Sequence, residues 1–214
     1  MSDLNNIPRK EHYSVDSDYL RSDRIHSYAH QIKTVIEQRP ANIIEIGKGP
    51  GMVAAALKSA GISVTTLDPQ IELEPDLVGS VVSIPAADKL FDVGLCCQVL
   101  EHLPFRSFEV ALVELRRVTK FSLVLSLPDV SPAYFIRCKL PFGAEVAREF
   151  SRPKFQLPEI PKSRYEGMGH FWEIGYRGTG LPEVMNGIQN SGWKIEHTWR
   201  VPEKTWHRFF LLKN

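Results

Sequence analysis

The chain has 214 residues, a formal net charge of +1 at pH 7 and 43% hydrophobic residues. This length suits one α/β domain with its own core, and the balanced charge indicates neither wholesale disorder nor a dedicated nucleic-acid binder. No apolar run approaches the roughly 18 residues of a membrane span, and the first residues lack the apolar core of a secretory signal. Three cysteines make no disulfide framework, so we expect a cytoplasmic protein in which Cys96 and Cys97 pack inside a strand.

The first forty residues are predicted to form an N-terminal helical segment of a single domain that spans residues 1–214. Apolar residues recur near helical spacing through residues 16–39 and indicate one or two helices, which Pro40 ends. Asp16, Ser17 and Ser22 are candidate caps for this region.

The next segment, residues 43–51, reads IIEIGKGPG. Its isoleucines suit a strand buried on both faces, while Gly47, Gly49 and Gly51 allow a sharp turn and close approach of a ligand to the main chain. Residues 52–58 then favour a helix, whose free N–H groups make an anion site. The spacing does not fit a dinucleotide fingerprint, because Met52 occupies its third small position, and the ending of a phosphate-binding P-loop is missing.

A second strand is predicted at residues 62–67, after Gly61 stops the helix in a left-handed conformation. Asp68 closes this strand, and a carboxylate there can accept hydrogen bonds from both hydroxyls of a ribose. Its alternative role is that of a turn residue ahead of Pro69. The alternation of strands and helices predicts a doubly wound parallel sheet with its ligand beyond the carboxyl ends of the strands.

The acid-x-G-x-G-x-G run resembles motif I of the class I S-adenosylmethionine (SAM)-dependent methyltransferases. The resemblance extends to residues 79–85, which are similar to the third-strand segment, and to 91–104, which are similar to strand four and the helix after it. Residues 121–129 resemble strand five, and residues 192–212 resemble a closing hairpin. It implies a seven-stranded, mostly parallel, Rossmann-like sheet and SAM as the cofactor. The residues that it assigns to the cofactor are Glu45, Gly47, Lys48, Gly49, Gly51, Asp68, Pro69, Ser80, Val81 and Gln98.

Within this set Ser80 replaces the Asp that usually faces the adenine amino group, which leaves the backbone amide of Val81 as the expected contact. Lys48 could reach the methionyl carboxylate or point to solvent. The string VLEHLP matches the subgroup that methylates small molecules.

Two histidines are candidate catalytic residues, because imidazole titrates near neutrality. His102 is expected beyond strand four beside the cleft, or it organises the local turn with Glu101. His170 is the second candidate, and the neighbouring Phe171 and Trp172 could wall an acceptor or fill the core. Some relatives, including ubiquinone-biosynthesis O-methyltransferases, carry Glu-x-x-Glu-His that binds a divalent ion. Here the string is Gln98-Val-Leu-Glu101-His102, in which Gln replaces the first Glu. Its amide oxygen could still bind a hard cation and His170 could add a ligand, but we expect no metal.

Residues 130–168 are predicted to be an insertion after strand five that caps the substrate site. Five prolines argue against long strands there. The alternative is a solvated insertion without a role for its charges. Its basic residues are Arg137, Lys139, Arg148, Arg152, Lys154, Lys162 and Arg164.

The sequence therefore predicts a SAM-dependent methyltransferase that acts on a small or medium-sized metabolite. One alternative is a SAM-binding adaptor without catalysis, suggested by Ser80 and Gln98. Another is a methyltransferase that acts on an RNA or glycan polymer, which the basic residues of segment 137–164 would bind. A nucleic-acid partner is disfavoured. The sequence indicates neither the acceptor atom nor an oligomeric state.

Overall fold

A computed structural model describes residues 20–139, 145–151, 156–161 and 168–214. The helices are α1 (Ser22–Glu37), α2 (Met52–Ser59), α3 (Phe108–Val118) and α4 (Leu181–Asn190). The strands are β1 (Asn42–Ile46), β2 (Ser63–Asp68), β3 (Leu77–Val78), β4 (Phe91–Cys97), β5 (Thr119–Pro128), β6 (Ala133–Lys139), β7 (Glu145–Ser151), β8 (Lys194–Val201) and β9 (Lys204–Lys213).

Seven strands form one sheet in the order β3-β2-β1-β4-β5-β9-β8. The pairs from β3 to β5 are parallel, whereas β9 runs antiparallel to both β5 and β8. The predicted doubly wound, mostly parallel sheet is thus confirmed. Because the strand order reverses between β1 and β4, a crevice opens beyond their carboxyl ends.

The sheet is covered on both faces, as the apolar run in β1 predicts. Ile43 and Ile44 are both fully buried, and they belong to two separate apolar clusters. Adjacent side chains of a strand point to opposite faces, so one cluster lies on each side of the sheet. Cys96 of β4 is fully buried in the core, as expected for a packing residue.

The third strand is shorter, and lies earlier in the chain, than the resemblance implied. It covers Leu77–Val78 only, and residues 79–85 form turns with an isolated bridge between Ser80 and Ser83. The amide of Ile84 donates to the carboxylate of Glu114 at 2.7 Å, so it is not available for pairing with a strand.

The expectation that prolines prevent long strands in residues 130–168 is wrong. Strands β6 and β7 are each seven residues long and pair antiparallel in a sheet of their own. The prolines of this segment lie outside both strands, and Pro132 immediately precedes β6. Of the basic residues named above, Arg152, Lys154, Lys162 and Arg164 lie outside the described residues.

Helix α1 buries a more polar face than its apolar spacing suggested. Its buried residues are Ser27, Gln31, Thr34 and Val35, whereas Ile25 and Ile36 are more than 40% exposed. The hydroxyl of Ser27 lies 2.9 Å from Nδ1 of His207, which is buried on β9. A helix that covers polar groups needs polar partners for them.

The candidate caps of α1 do not act as caps where the structure describes them. Ser22 is the first helical residue, and no side-chain hydrogen bond caps the helix. Asp16 and Ser17 lie outside the described residues. None of the described helices combines the length and apolarity required to cross a membrane.

A buried ion cluster ties β5 to the closing hairpin. Both Arg200 and Arg208 place a nitrogen 2.6 Å from Oδ2 of Asp129, and the three side chains are at most 5% exposed. Arg208 also reaches Glu149 of β7 at 3.3 Å, which connects the β6–β7 hairpin to the sheet. Removing one member of such a cluster leaves a buried charge without its counter-ion.

We expect Asp129→Asn to lower the free energy of unfolding by about 3–5 kcal/mol, because two buried guanidinium groups lose their nearest counter-ion and keep Glu149, which is farther away and 23% exposed. The control is Asp88→Asn, whose carboxylate also lies 2.6 Å from an arginine but is 74% exposed. Exposed pairs contribute less than about 1 kcal/mol. Chemical denaturation of both variants measures the difference, and equal losses would contradict this account of the cluster.

Candidate active site

A cavity of about 360 Å³ opens beyond the carboxyl ends of β1, β2 and β4. It is lined by Arg24, Tyr28, Gln31, Glu45, Ile46, Gly47, Lys48, Gly49, Pro50, Met52, Val53, Leu67, Asp68, Pro69, Ser80, Val81, Val82, Cys97, Gln98, Val99, His102, Leu103, Pro104, Arg106 and Ser107. Every residue that the sequence assigns to the cofactor is among them except Gly51. His102 also lines the cavity, and His170 does not.

The glycine loop brings its main chain to the cavity at Gly47, where a side chain would not fit. Gly47 has φ of +78°, and a Cβ atom at this position would lie 2.6 Å from Cγ2 of Val99. Its N–H donates to the carbonyl of Leu67 at 2.8 Å, which ties the loop to the end of β2. Gly51, also left-handed at φ +73°, is the N-cap of α2 and so sets the direction of that helix.

Asp68 holds the loop as well as facing the cavity. Its Oδ2 accepts from the backbone N–H of Lys48 at 3.0 Å, and its Oδ1 accepts from that of Gln70 at 2.9 Å. Burial raises the pKa of this carboxyl, against these two hydrogen bonds and the charge of Lys48. Each carboxylate oxygen keeps a further lone pair, so two hydroxyl donors can still bind.

The side chain of Lys48 takes neither of the two orientations considered above. Its Nζ donates to the backbone carbonyl of Glu74 at 2.5 Å, so the side chain bridges the glycine loop to the turn after β2. Glu74 has φ of +53° at the end of the 71–73 turn.

Glu45 is a buried carboxyl at the end of β1, with 5% of its surface exposed. Burial raises its pKa to about 8. Within the described residues its Oε2 has no hydrogen-bond partner. A buried carboxyl without a partner favours the neutral form unless a cation comes close.

Three other predicted cofactor residues line the cavity from the far side. Val81 is 4% exposed, and Ser80 accepts the N–H of Val82 through its hydroxyl at 3.4 Å. Gln98 follows β4 with φ of +56°, an uncommon conformation for a residue other than glycine. Its Nε2 donates to the hydroxyl of Ser126 at 3.2 Å, which holds the side chain against β5.

The two candidate catalytic histidines lie next to each other. The ring centroids of His102 and His170 are 5.0 Å apart at an angle of 78°. Nδ1 of His102 lies 3.2 Å from the carbonyl of Gly169 and therefore carries a hydrogen, since a carbonyl only accepts. Burial and the neighbouring His170 lower the pKa of His102 to about 4, which keeps its ring neutral at pH 7.

Glu101 completes a cluster with these two histidines. Each of the three offers an atom that lies within 4.8 Å of the others. Glu101 is fully buried, and neither oxygen has a hydrogen-bond partner among the described residues. Burial raises its pKa to about 7.

This donor set fits a divalent cation, the alternative that the sequence analysis disfavoured. Two imidazoles and a carboxylate are usual ligands of transition-metal ions, and a carboxylate without hydrogen bonds needs a counter-charge. The expectation that no metal is bound stays a prediction.

The aromatic residues beside His170 have structural contacts. Trp172 is 3% exposed, packs edge-on against Phe105 and Phe108, and donates its Nε1 hydrogen to the carbonyl of Leu103 at 3.0 Å. It therefore fills the core and does not line the cavity. Phe171 is partly buried against the same core.

Sequence reasoning missed the contribution of α1 to the cavity and the buried neighbours of the histidines. Arg24, Tyr28 and Gln31 recur at intervals of three and four residues, so they share one helix face. This spacing indicates that the three side chains share one face of α1. The prediction for α1 rested on its apolar residues, which indicate another face. Nothing in the described part of residues 130–168 lines the cavity, so the cap remains a prediction.

Comparison with known proteins agrees with this geometry. Residues 44–122 match the family described as "Methyltransferase domain". The chain is 23% identical over 193 residues to a ubiquinone biosynthesis O-methyltransferase of Rickettsia typhi. This alignment covers 78% of this chain and 74% of that protein.

Solved structures of low identity share the fold. The N-methyltransferase NodS of Bradyrhizobium japonicum, in complex with S-adenosylhomocysteine, matches with a TM-score of 0.63 and 10% identity over 96% of this chain and 95% of its own. A SAM-dependent methyltransferase of Mesorhizobium loti matches with a TM-score of 0.59 and 13% identity over 86% and 96%. Together these findings show a methyltransferase domain over residues 44–122 and the fold of SAM-dependent methyltransferases, and they favour an enzyme over an adaptor.

Proposed function

We propose that this enzyme transfers the methyl group of SAM to a hydroxyl oxygen of a small-molecule acceptor. The observation that carries the proposal is a single cavity in which a glycine loop and a strand-end carboxylate border a neutral histidine. The O-methyltransferase named among the relatives supports oxygen as the methylated atom.

The cofactor would lie along the ends of β1, β2 and β4. The main chain of Gly47 and Gly49 would bind the methionyl part, next to the carboxyl of Glu45. The ribose hydroxyls would donate to Asp68, and the adenine would lie against Pro69, Ser80 and Val81. Gln98 would border the sulfonium end, because it precedes the turn that carries His102.

The acceptor would occupy the part of the cavity nearest His102. Leu103 and Pro104 offer apolar surface there, while Arg24 and Arg106 offer positive charge. This enclosure suits a small or medium-sized molecule. Holding the acceptor oxygen in line with the methyl group would supply much of the rate acceleration.

His102 is placed to accept the hydroxyl proton, since its Nδ1 donates to the carbonyl of Gly169 and leaves the lone pair on Nε2, although burial lowers the pKa of the ring and so weakens it as a base. If a divalent ion is used, Glu101, His102 and His170 would hold it. When bound, such an ion acts as a Lewis acid that lowers the pKa of a coordinated hydroxyl. The polymer alternative has less support, because Arg148, the basic residue of segment 137–164 whose side chain the structure describes, does not line the cavity.

The first test combines binding and transfer. Calorimetry should detect SAM binding, and tritiated SAM should label a component in the small-molecule fraction of a cell extract. Alkali-stable label on a former hydroxyl would be expected of an ether product. Label found only in RNA or glycan polymer would contradict the small-molecule acceptor, and no SAM binding at millimolar concentration would contradict the whole proposal.

Asp68→Ala should weaken SAM binding roughly 10- to 100-fold, because a hydrogen bond to a charged group contributes about 1.5–3 kcal/mol. Some stability should be lost too, since Asp68 also accepts from two backbone amides. A matched control is Asp76→Ala, which loses hydrogen bonds to the N–H and hydroxyl of Thr66 but does not line the cavity. Unchanged SAM affinity in Asp68→Ala would remove the ribose role.

SAM binding at pH 7 should release a proton from Glu45. The pKa of this carboxyl is about 8 in the cofactor-free protein, so it is protonated at pH 7, and nearby cofactor cations would favour its ionised form. Calorimetry in two buffers of different ionisation enthalpy measures the released protons. Glu45→Gln should reduce this release and the exposed Glu72→Gln should not, whereas equal heats in both buffers for the unmodified protein would contradict the prediction.

A further inference from the structure

Two distant parts of the chain are joined at the histidine cluster. The turn after β4 contributes Glu101 and His102, and the segment 169–174 contributes His170. The N–H of Phe171 donates to the carbonyl of Glu101 at 2.8 Å. This bond fixes the backbone of the second segment against the turn, so the relative position of the three side chains is set by main-chain pairing.

The opposite side of segment 169–174 is held equally firmly. The N–H of Ile174 donates to the carbonyl of Pro128 at 2.9 Å, which attaches the segment to the end of β5. The hydroxyl of Thr179 donates to the carbonyl of Glu173 at 2.8 Å. The backbone of Glu173 is thus fixed on the side away from the cavity.

The carboxylate of Glu173 is fully buried and directed at His170. Its Oε1 lies 2.7 Å from Nδ1 of the ring. A carboxylate at this distance accepts the Nδ1 hydrogen, which leaves the lone pair of the neutral ring on Nε2. His102 has the same tautomer, because its Nδ1 donates to the carbonyl of Gly169.

We propose that Glu173 is a positioning residue that orients His170 and fixes its tautomer, so that Nε2 completes a cation site with Glu101 and His102. Metal-binding histidines commonly donate their second N–H to a carboxylate, and this partner raises the basicity of the ligand nitrogen. The proposal rests on the proposed function only in what the bound cation does during methyl transfer. The cation site itself does not require SAM.

The test is titration with Co²⁺ alone, because its visible absorption reports the number and geometry of its ligands. The unmodified protein should bind Co²⁺ with a ligand-field spectrum, and His170→Ala should lose most of that signal. Glu173→Gln should bind Co²⁺ roughly 10- to 100-fold more weakly, as is usual when the partner of a metal-binding histidine is altered.

A matched control separates positioning from stability. Glu114→Gln removes a carboxylate that accepts from Arg117 and Ile84 and lies outside the cavity lining, so it should lower the unfolding temperature and leave the Co²⁺ affinity unchanged. Equal Co²⁺ affinity in Glu173→Gln and the unmodified protein would overturn the proposal, as would failure of the unmodified protein to bind Co²⁺.

A measurement without any variant decides the tautomer. Long-range proton–nitrogen correlation spectra of the unmodified, metal-free protein should show His170 protonated at Nδ1 and unprotonated at Nε2. The opposite tautomer would overturn the proposal even if Glu173→Gln does not fold. SAM calorimetry on the same samples keeps the two questions apart: normal SAM binding with no Co²⁺ binding rejects the cation site and leaves the methyltransferase assignment intact.

Discussion

Parallel pairing of β1 with both β2 and β4 is the constraint on which this site depends. It places the carboxyl ends of three strands side by side, and each end is followed by residues that face the same cavity. The hydrogen bond from the N–H of Gly47 to the carbonyl of Leu67 ties the loop to the end of β2, and Val99 of the turn after β4 lies so close to Gly47 that a Cβ atom would not fit there. Without this pairing, residues as distant as Glu45 and Gln98 would not share a binding site.

Burial gives the site its electrostatic character. Glu45 lies near the end of β1 and Glu101 in the turn after β4, and within the described residues both have carboxyl oxygens without hydrogen-bond partners. Desolvation raises the pKa of each carboxyl more than the neighbouring charges of the protein lower it, so added positive charge would stabilise the ionised forms further. We infer that the cofactor supplies that charge at Glu45, and that a metal ion would supply it at Glu101.

The sequence predicted the parts of the fold that depend on local patterns. Apolar runs located the strands, and the glycines at 47, 49 and 51 located the loop, because buried strands and left-handed turns need particular residue types. The sequence does not predict strands β6 and β7, because five prolines in residues 130–168 disfavour long strands, and only the structure shows that these prolines lie outside both strands. The buried polar face of α1 was missed because His207, its partner on β9, is 180 residues from Ser27 in the chain.

The site shows the same difference between what local patterns predict and what contacts between distant residues create. His102 and His170 were candidates separately, yet no local pattern brings residues 68 positions apart into ring contact. Glu173 is a polar residue in an otherwise apolar stretch, and the sequence does not indicate a role for it. Its role depends on the position of His170 in the folded chain.

A crystal structure of the protein soaked with S-adenosylhomocysteine tests the central claim most directly. The account predicts the ribose hydroxyls on Asp68, the amino-acid tail along the main chain of residues 47–51, and the sulfur on the side that leads to His102. A cavity that stays empty, or is filled by the protein's own side chains, would contradict it.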